Sequence, residues 1–291
     1  MILAPLRGVT IRTFREVFAE VIAAAGFTEA VTPFIAANPG FDPLRDAELR
    51  EFVDSSIRRF VDSGTVRCTV QFIGKDPGAL KESLERIKAA GVETADLNCG
   101  CPFPMVRNKG RGSGILKTPA VLERMLAVGC ETMGEGKFSI KARLGVERND
   151  ELASLMPIVN SFPLRCLTVH ARNARQMYEG ECDMAAFARV RDLARVPLVL
   201  NGDLAVDSPV PEGCVDIMVG RSFIRSLGER EDIAELLERY IEASRTELYG
   251  ERPVLGRMKE LIAYWKDSPR WRRKWNVVKI ARSLDELKMA L

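Results

Sequence analysis

One histidine, His170, occurs in 291 residues, so any mechanism that needs a second imidazole is excluded. The seven cysteines are an odd number scattered from Cys68 to Cys214, a pattern that does not make a disulfide framework. Only Cys99 and Cys101 lie close together, with no second cysteine pair and no histidine cluster beside them. A zinc site asks for about four nitrogen and sulfur ligands, so no metal is expected. Apolar runs are short: Val21 to Ala25 is far below the roughly 18 residues a bilayer span requires. The opening Met1-Ile2-Leu3-Ala4-Pro5-Leu6-Arg7 has no basic start followed by an apolar core and a cleavage site. The expectation is a protein without secretory signal or membrane span, working in the cytoplasm.

What is present is an ordinary globular composition, 46% apolar and 29% charged, in a length that suits one large domain with an appendage. The net charge of +3 hides an asymmetry. Between Arg252 and Arg282 stand 10 Lys and Arg against 2 Asp and Glu, a local net of +8, which leaves −5 for the remainder. All three tryptophans (265, 271, 275) fall in that basic segment. A one-signed cluster of this kind points to a polyanionic partner.

Short β-rich runs alternate with helical patterns along most of the chain. The expected strands are Ile2–Pro5, Ala30–Pro33, Arg67–Ile73, Thr94–Asn98, Phe138–Arg143, Arg165–His170, Pro197–Asn201 and Val215–Gly220. Between them Ile11–Ala25, Pro77–Ala90, Pro119–Val128 and Asp183–Leu193 read as helices, with Leu80, Leu84 and Ile87 on one face. Eight strands with crossovers predict an α/β fold, the (β/α)8 TIM barrel. Asp232–Leu248 and Ser283–Leu291 add helices after the last strand. Cys99 to Thr118 reads as a long, glycine-rich loop, flexible from Gly110 to Gly114; the seventh crossover, Leu204 to Cys214, looks truncated by Pro209, Pro211 and Gly213.

Polar residues interrupt the apolar strands at their C-terminal ends: Gln71, Asn98, Lys141, Arg143, His170 and Asn201, then Gly220-Arg221. Barrel enzymes build their sites at that face and often bind phosphate after the last two strands. Asn201-Gly202-Asp203 and Gly220-Arg221-Ser222 offer glycine for close backbone approach and a guanidinium for charge. A lone histidine is more often structural than catalytic, but His170 ends the strand next to that of Lys141, which favours contact with a ligand. A lysine inside a strand is costly unless it is paired or faces an anion; a Schiff-base nucleophile is the competing reading of Lys141. Cys101 stands just past a strand end, and an ordinary thiol is mostly protonated at neutral pH, so it can donate a proton.

These stretches together resemble the tRNA-dihydrouridine synthase family over essentially the whole chain. They are Ala4-Pro5-Leu6-Arg7-Gly8-Val9, Val70-Gln71-Phe72-Ile73-Gly74, Asp96-Leu97-Asn98-Cys99-Gly100-Cys101-Pro102, Lys141-Ala142-Arg143-Leu144-Gly145 and Thr168-Val169-His170-Ala171-Arg172. Gln176, Tyr178, Gly180, Asn201-Gly202-Asp203 and Gly220-Arg221 complete the series, and the Asn-Cys-Gly-Cys-Pro form is most like the C-type subfamily. Arg7 departs from the family, which commonly carries an acidic residue there.

The resemblance implies FMN at the barrel mouth and NADPH as reductant. Pro5, Leu6 and Arg7 would line the flavin, Gln71 and Lys141 would hydrogen-bond its ring, and His170 would touch it. Asn201, Gly202, Asp203, Gly220 and Arg221 would hold its phosphate. Asn98 and Arg143 would recognise a uracil from the tRNA D-loop, and Cys101 would protonate C5 after hydride reaches C6. The domains expected are a catalytic barrel, 1–235, and a helical tRNA-binding domain, 236–291, in which Arg257, Lys259 and Arg273 face RNA. A monomer is expected. The alternatives are an FMN barrel acting on a free pyrimidine or related small molecule, and an RNA-binding protein on an inactive barrel.

Overall fold

The computed structural model describes residues 1–42, 45–49 and 66–291. Eight parallel strands close on themselves: β1 (Ile2–Leu3), β2 (Glu29–Val31), β3 (Arg67–Ile73), β4 (Ala95–Cys99), β5 (Phe138–Gly145), β6 (Leu167–Asn173), β7 (Leu198–Asn201) and β8 (Asp216–Val219). Each pairs with the next, and β8 returns to β1 through Ile2↔Met218 and Leu3↔Val219. The fold is the expected (β/α)8 barrel.

The second strand is interrupted. β2 is in register with β3 at Val31↔Thr69, and pairing resumes at Ile35↔Phe72, one residue longer on the second-strand side. Such an extra residue is a bulge, and here the interruption brings Pro33 and Phe34 to the barrel mouth.

Strand side chains alternate between the two faces. Val70, Phe72, Leu97, Ile140, Ala142, Leu144 and Val169 belong to the large apolar layer between strands and helices. A second, small cluster of Ile2, Ala4, Val31, Cys166, Val199 and Met218 is separate from it. The intervening residues Thr69, Gln71, Asp96, Asn98 and Ser139 are polar and buried, and they bond across strands inside the barrel. Thr69 donates to Glu29 and shares a 2.8 Å hydrogen bond with Thr94, while Ser139 and Gln71 both donate to Asp96. Polar residues thus extend well below the mouth, not only at the strand ends.

The outer helices start where local chemistry lets them. Asp76 caps α3 (Pro77–Ala89) by accepting from the Ala79 N–H, with Pro77 in the first turn; α5 (Pro119–Met133) and α6 (Glu151–Val159) follow β4 and β5, and Asp183 caps α7 (Met184–Leu193) through the Ala186 N–H. The expected single helix over Ile11–Ala25 is two, α1 (Arg12–Val17) and α2 (Ala19–Ala24), because Phe18 leaves helical geometry at φ −97° and ψ 13°. Its ring stacks on Phe14 at 4.4 Å. The connection after β4 is a correction to the flexible-loop reading. It holds a short helix, α4 (Pro104–Arg107), and a 3₁₀ turn, Gly112–Lys117, whose first five residues are buried. A side chain on Gly112 would lie 2.8 Å from Cys101 Cβ, so glycine there lets the turn pack directly against the cysteine. The seventh crossover, 202–215, holds no helix, as its prolines predict.

After β8, α8 (Arg221–Leu227) leads into the tail: α9 (Ile233–Glu247), α10 (Glu251–Ile262), a 3₁₀ turn (Ala263–Trp265), α11 (Arg272–Val278) and α12 (Leu284–Lys288). The division expected at 235/236 falls inside α9, whose Tyr240 ring meets Phe14 and Phe18 edge-on at 6.1 and 5.8 Å. Trp265 and Trp271 are buried, and their indole N–H groups donate to the carbonyls of Ile224 (2.6 Å) and Gly228 (2.7 Å). Two tryptophans therefore fasten the tail to α8. Among the described residues no helix is long and apolar enough to cross a membrane.

Candidate active site

A cavity of about 800 Å³ opens at the C-terminal ends of the strands, within the range of small-molecule and cofactor sites. The loop after β1 gives it Pro5, Leu6 and Arg7, the interruption of the second strand Pro33 and Phe34, and β4 with its following loop Asn98, Gly100 and Cys101. β5 supplies Lys141 and Arg143, β6 His170, and the last two strands Asn201, Gly202, Asp203, Gly220 and Arg221. All of these except Pro33, Phe34 and Gly100 are residues the sequence singled out, brought together from six segments.

Four expected residues lie elsewhere. Gln71 is fully buried one layer below, its amide held between Asp96 and Asn98. Arg257 is paired with Glu247 at 2.8 Å, both side chains almost covered, so it fastens α10 to α9 and is not free for RNA. Lys259 donates to the carbonyls of Lys279 and Ala281, tying α10 to the end of the tail. Excess charge in a segment does not tell which charges a helix turns inward, and these two are engaged within the tail. Arg273 is exposed on α11, outside the cavity.

Several wall residues had no role from sequence: Tyr178, Ser222, Arg225, Glu260 and Tyr264. Glu260 and Tyr264 come from the tail, so the tail completes the cavity. Gly8 (φ +80°) allows this, since a side chain there would collide with the Glu260 carboxylate. Signals were available at Ser222 and at Tyr178, each inside a quoted motif. The Tyr178 ring lies 5.2 Å from the Arg143 guanidinium carbon and 4.9 Å from that of Arg221, a cation–π contact on each.

The electrostatics follow from several cations sharing one buried space. Burial, then repulsion from Arg143, brings the Lys141 ammonium down to about 7, against a smaller upward pull from Asp96. Lys141 Nζ donates to Asn201 Oδ1 at 2.7 Å. Burial also brings Arg143 down to about 10; its guanidinium donates to the carbonyls of Gly100 and Asn173 at 2.9 Å each. His170 sits well below its ordinary value because it is buried and surrounded by Arg143, Lys141, Arg172 and Arg221. Arg172 Nη1 lies 3.2 Å from His170 Nε2. Arginine only donates, so Nε2 accepts and the ring proton is on Nδ1. Burial pushes the Cys101 thiol up, more than a backbone hydrogen bond from Phe103, Arg143 and Arg7 pull it down. The wall therefore offers a protonated thiol, a neutral imidazole and a set of cations.

At the far end Asp203, in left-handed backbone (φ 50°), takes hydrogen bonds from Arg172 and, at 2.6 Å, from Arg221. Burial raises its carboxyl, but the two guanidiniums outweigh that and hold it below the usual range. Arg225 adds an exposed cation to the same wall. Gly202 lies so close to its neighbours that a side chain would come within 2.6 Å of Cys182 Sγ and 2.9 Å of the His170 ring. Among the described residues no group of three His, Cys, Asp or Glu is arranged to hold a metal.

Fold and site together define a (β/α)8 barrel with a cationic ligand cavity at its strand-end mouth. The sequence profile of the dihydrouridine synthase (Dus) family matches residues 2–226, and the chain belongs to that family. It is 29% identical over 210 residues to tRNA-dihydrouridine synthase B of Pseudomonas aeruginosa, covering 72% of this chain and 59% of that relative. Identity to the tRNA-dihydrouridine(16) synthase of Ralstonia nicotianae is also 29%, over 230 residues, 77% of this chain and 69% of the relative. Equal identity to a B-type and a position-16 relative assigns no subfamily. The chain thus spans under two thirds of the first relative's length. An old yellow enzyme homologue from Zymomonas mobilis superposes with a TM-score of 0.55 at 14% identity, over 77% of this chain and 85% of the other, a likeness of fold.

Proposed function

We propose that this protein reduces a uridine in the D-loop of tRNA to 5,6-dihydrouridine, using FMN held in the cavity and NADPH as reductant. The observation that carries the reading is that the protonated Cys101 thiol shares one cavity with a lysine, a histidine and an arginine cluster suited to a flat, polar-edged, phosphate-bearing cofactor. The donor set fits FMN. Lys141 is half-buried, donates one hydrogen bond to Asn201, and can offer further N–H donors to the ring's carbonyl edge. Pro5 and Leu6 give an apolar ledge, and Arg221 and Arg225 answer a phosphate.

When bound, the flavin supplies the reducing equivalents that C6 of the uracil accepts. The chain's own residues do the rest. Asn98 and Arg143 orient the base, Arg143 being fixed in turn by two backbone carbonyls. Negative charge then develops on the enolate side of the ring, and the Cys101 Sγ–H quenches it by protonating C5. A thiol raised by burial is a dependable acid at neutral pH because little of it is lost as thiolate. His170 stays neutral and orients the site without competing for the proton.

The helical segment after α9, from Gly250 onward, serves as the tRNA grip. Taking a base out of its stack costs roughly a few kcal/mol, which phosphate contacts from exposed Lys266, Arg270, Arg272 and Arg273 offset. Reaction in the cytoplasm follows from such a substrate.

The test is purified protein with unmodified tRNA and NADPH. Bound flavin absorbance and new dihydrouridine in the D-loop are expected, and Cys101→Ala should keep the flavin while turnover falls about 10²–10⁴-fold. A colourless protein, or one that reduces a free pyrimidine as fast as tRNA, overturns the reading.

A further inference from the structure

Below the cavity wall, a row of side chains joins three neighbouring strands. The Asp96 carboxylate on β4 accepts from Ser139 Oγ on β5 (2.6 Å) and from Gln71 Nε2 on β3 (2.8 Å). Gln71 Oε1 accepts from Asn98 Nδ2 at 2.8 Å. Asn98 Oδ1 then accepts from the backbone N–H groups of Cys101 (2.8 Å) and Gly100 (3.1 Å). Asp96, Gln71 and Asn98 are each more than nine-tenths buried, so their amides and carboxylate have few other partners.

The direction of every link is forced. An ionised carboxylate cannot donate, so Gln71 must turn its NH2 to Asp96 and its oxygen to Asn98. Asn98 must then offer its NH2 to Gln71, which leaves its oxygen for the two backbone N–H groups. Those groups can only donate. A primary amide in isolation has two orientations related by a flip of half a turn; here a charge at one end and two peptide donors at the other select one. Reversing Asn98 would set its NH2 against two N–H donors.

We propose that Asp96 is a positioning residue for Cys101: through the amides of Gln71 and Asn98 it fixes how the Gly100 and Cys101 backbone is held, and so where the thiol stands in the cavity. The opposite side of Cys101 is held independently. Its carbonyl accepts from the N–H (3.1 Å) and the hydroxyl (2.9 Å) of Ser113, in the turn that packs against it. The relay supplies the other half of the clamp, from inside the barrel. The importance of the thiol rests on the proton-donor reading above, whereas the clamp is a matter of this chain's own atoms.

The experiment measures alkylation of each cysteine in the purified holoprotein by iodoacetamide at pH 8.5, mapped by mass spectrometry. Cys182 and Cys214, both partly exposed, serve as internal references. The charges acting on the Cys101 thiol are Arg143 and Arg7, so a change at Asp96 reaches it through position. Asp96→Leu and Gln71→Leu each cut the relay; labelling at Cys101 is expected to rise at least fivefold while the references stay within twofold. Asp96→Asn can still present an oxygen to Gln71 and an NH2 to Ser139, and should label within twofold of wild type. If Asp96→Leu does not fold, Gln71→Leu carries the same expectation, because it leaves Asp96 bonded to Ser139. Unchanged labelling of Cys101 in the leucine variants, or equal acceleration of every cysteine, overturns the proposal. Single-turnover reduction of tRNA should slow at least tenfold in the leucine variants and recover in Asp96→Asn. Should wild type make no dihydrouridine while the labelling pattern holds, the relay stands and the functional reading falls.

Discussion

Lys141→Met should stabilise the protein stripped of cofactor even as it disables the site. Burial, with Arg143 alongside, holds the native ammonium at about 7, whereas an unfolded lysine titrates near about 10.4. Above pH 7 the native side chain is increasingly neutral while the unfolded chain still binds its proton. Stability therefore rises with pH in that window, with a limiting slope of about 1.4 kcal/mol per pH unit. Between pH 7 and 8.5 the native group begins half protonated, so the gain is roughly 1.7 kcal/mol, or a Tm rise of about 4 °C for a chain of this size. Methionine has no such titration. The variant should be more stable at pH 7 by about 1–3 kcal/mol, after losing the bond to Asn201, and its advantage should shrink by the same roughly 1.7 kcal/mol at pH 8.5. Asp96, held at about 6 by burial against several partners including Lys141, moves further up in the variant. A carboxyl raised in the folded state loses stability as pH climbs, which moves the difference the same way. The raised thiols occur in both proteins and cancel. Thermal and urea unfolding of the two apo-proteins across that range give the answer. A difference that stays flat with pH, or a variant less stable at pH 7, refutes the reasoning.

Two further outcomes separate the tail's roles. Trp271→Ala removes a buried indole and its bond to the Gly228 carbonyl, and should cost about 3–5 kcal/mol in urea unfolding while raising KM for tRNA more than it lowers flavin content. Arg273→Glu should weaken tRNA binding and reduce its salt slope by about one phosphate contact. Arg257→Ala should leave that slope unchanged and lower the melting temperature instead.

The barrel was legible because its signals are local and repeated. Arg67–Ile73 has the same bounds in both readings, and Asp76-Pro77 announces its helix without tertiary help. The cavity was legible for a related reason: strand ends are where a parallel barrel leaves apolar surroundings, so polar residues such as Asn98 and His170 mark the mouth. What escaped depends on facing. Asp96 and Ser139 alternate with apolar neighbours as Asn98 and Lys141 do, yet only the closed barrel reveals that they bond to one another. Glu260 and Tyr264 lie far along the chain from any motif, and their place in the wall is decided by how two tryptophans dock. Arg257 and Lys259 count as positive charge in any sequence tally, although one is neutralised by Glu247 and the other spends its hydrogens on carbonyls.

The seven residues of α8 have both ends committed, Arg221 to the cavity and the carbonyls of Ile224 and Gly228 to the indoles above them. A helix turns about 100° per residue. One residue inserted or deleted here would swing the guanidinium away from the mouth or unseat the tail, with no slack to absorb the error. Length variation over evolutionary time should therefore be tolerated in the helix-free residues 205–214, beyond the cavity wall, and purged from this one. A load on the tail would be felt, through the same short rod, at the Arg221 end of the pocket.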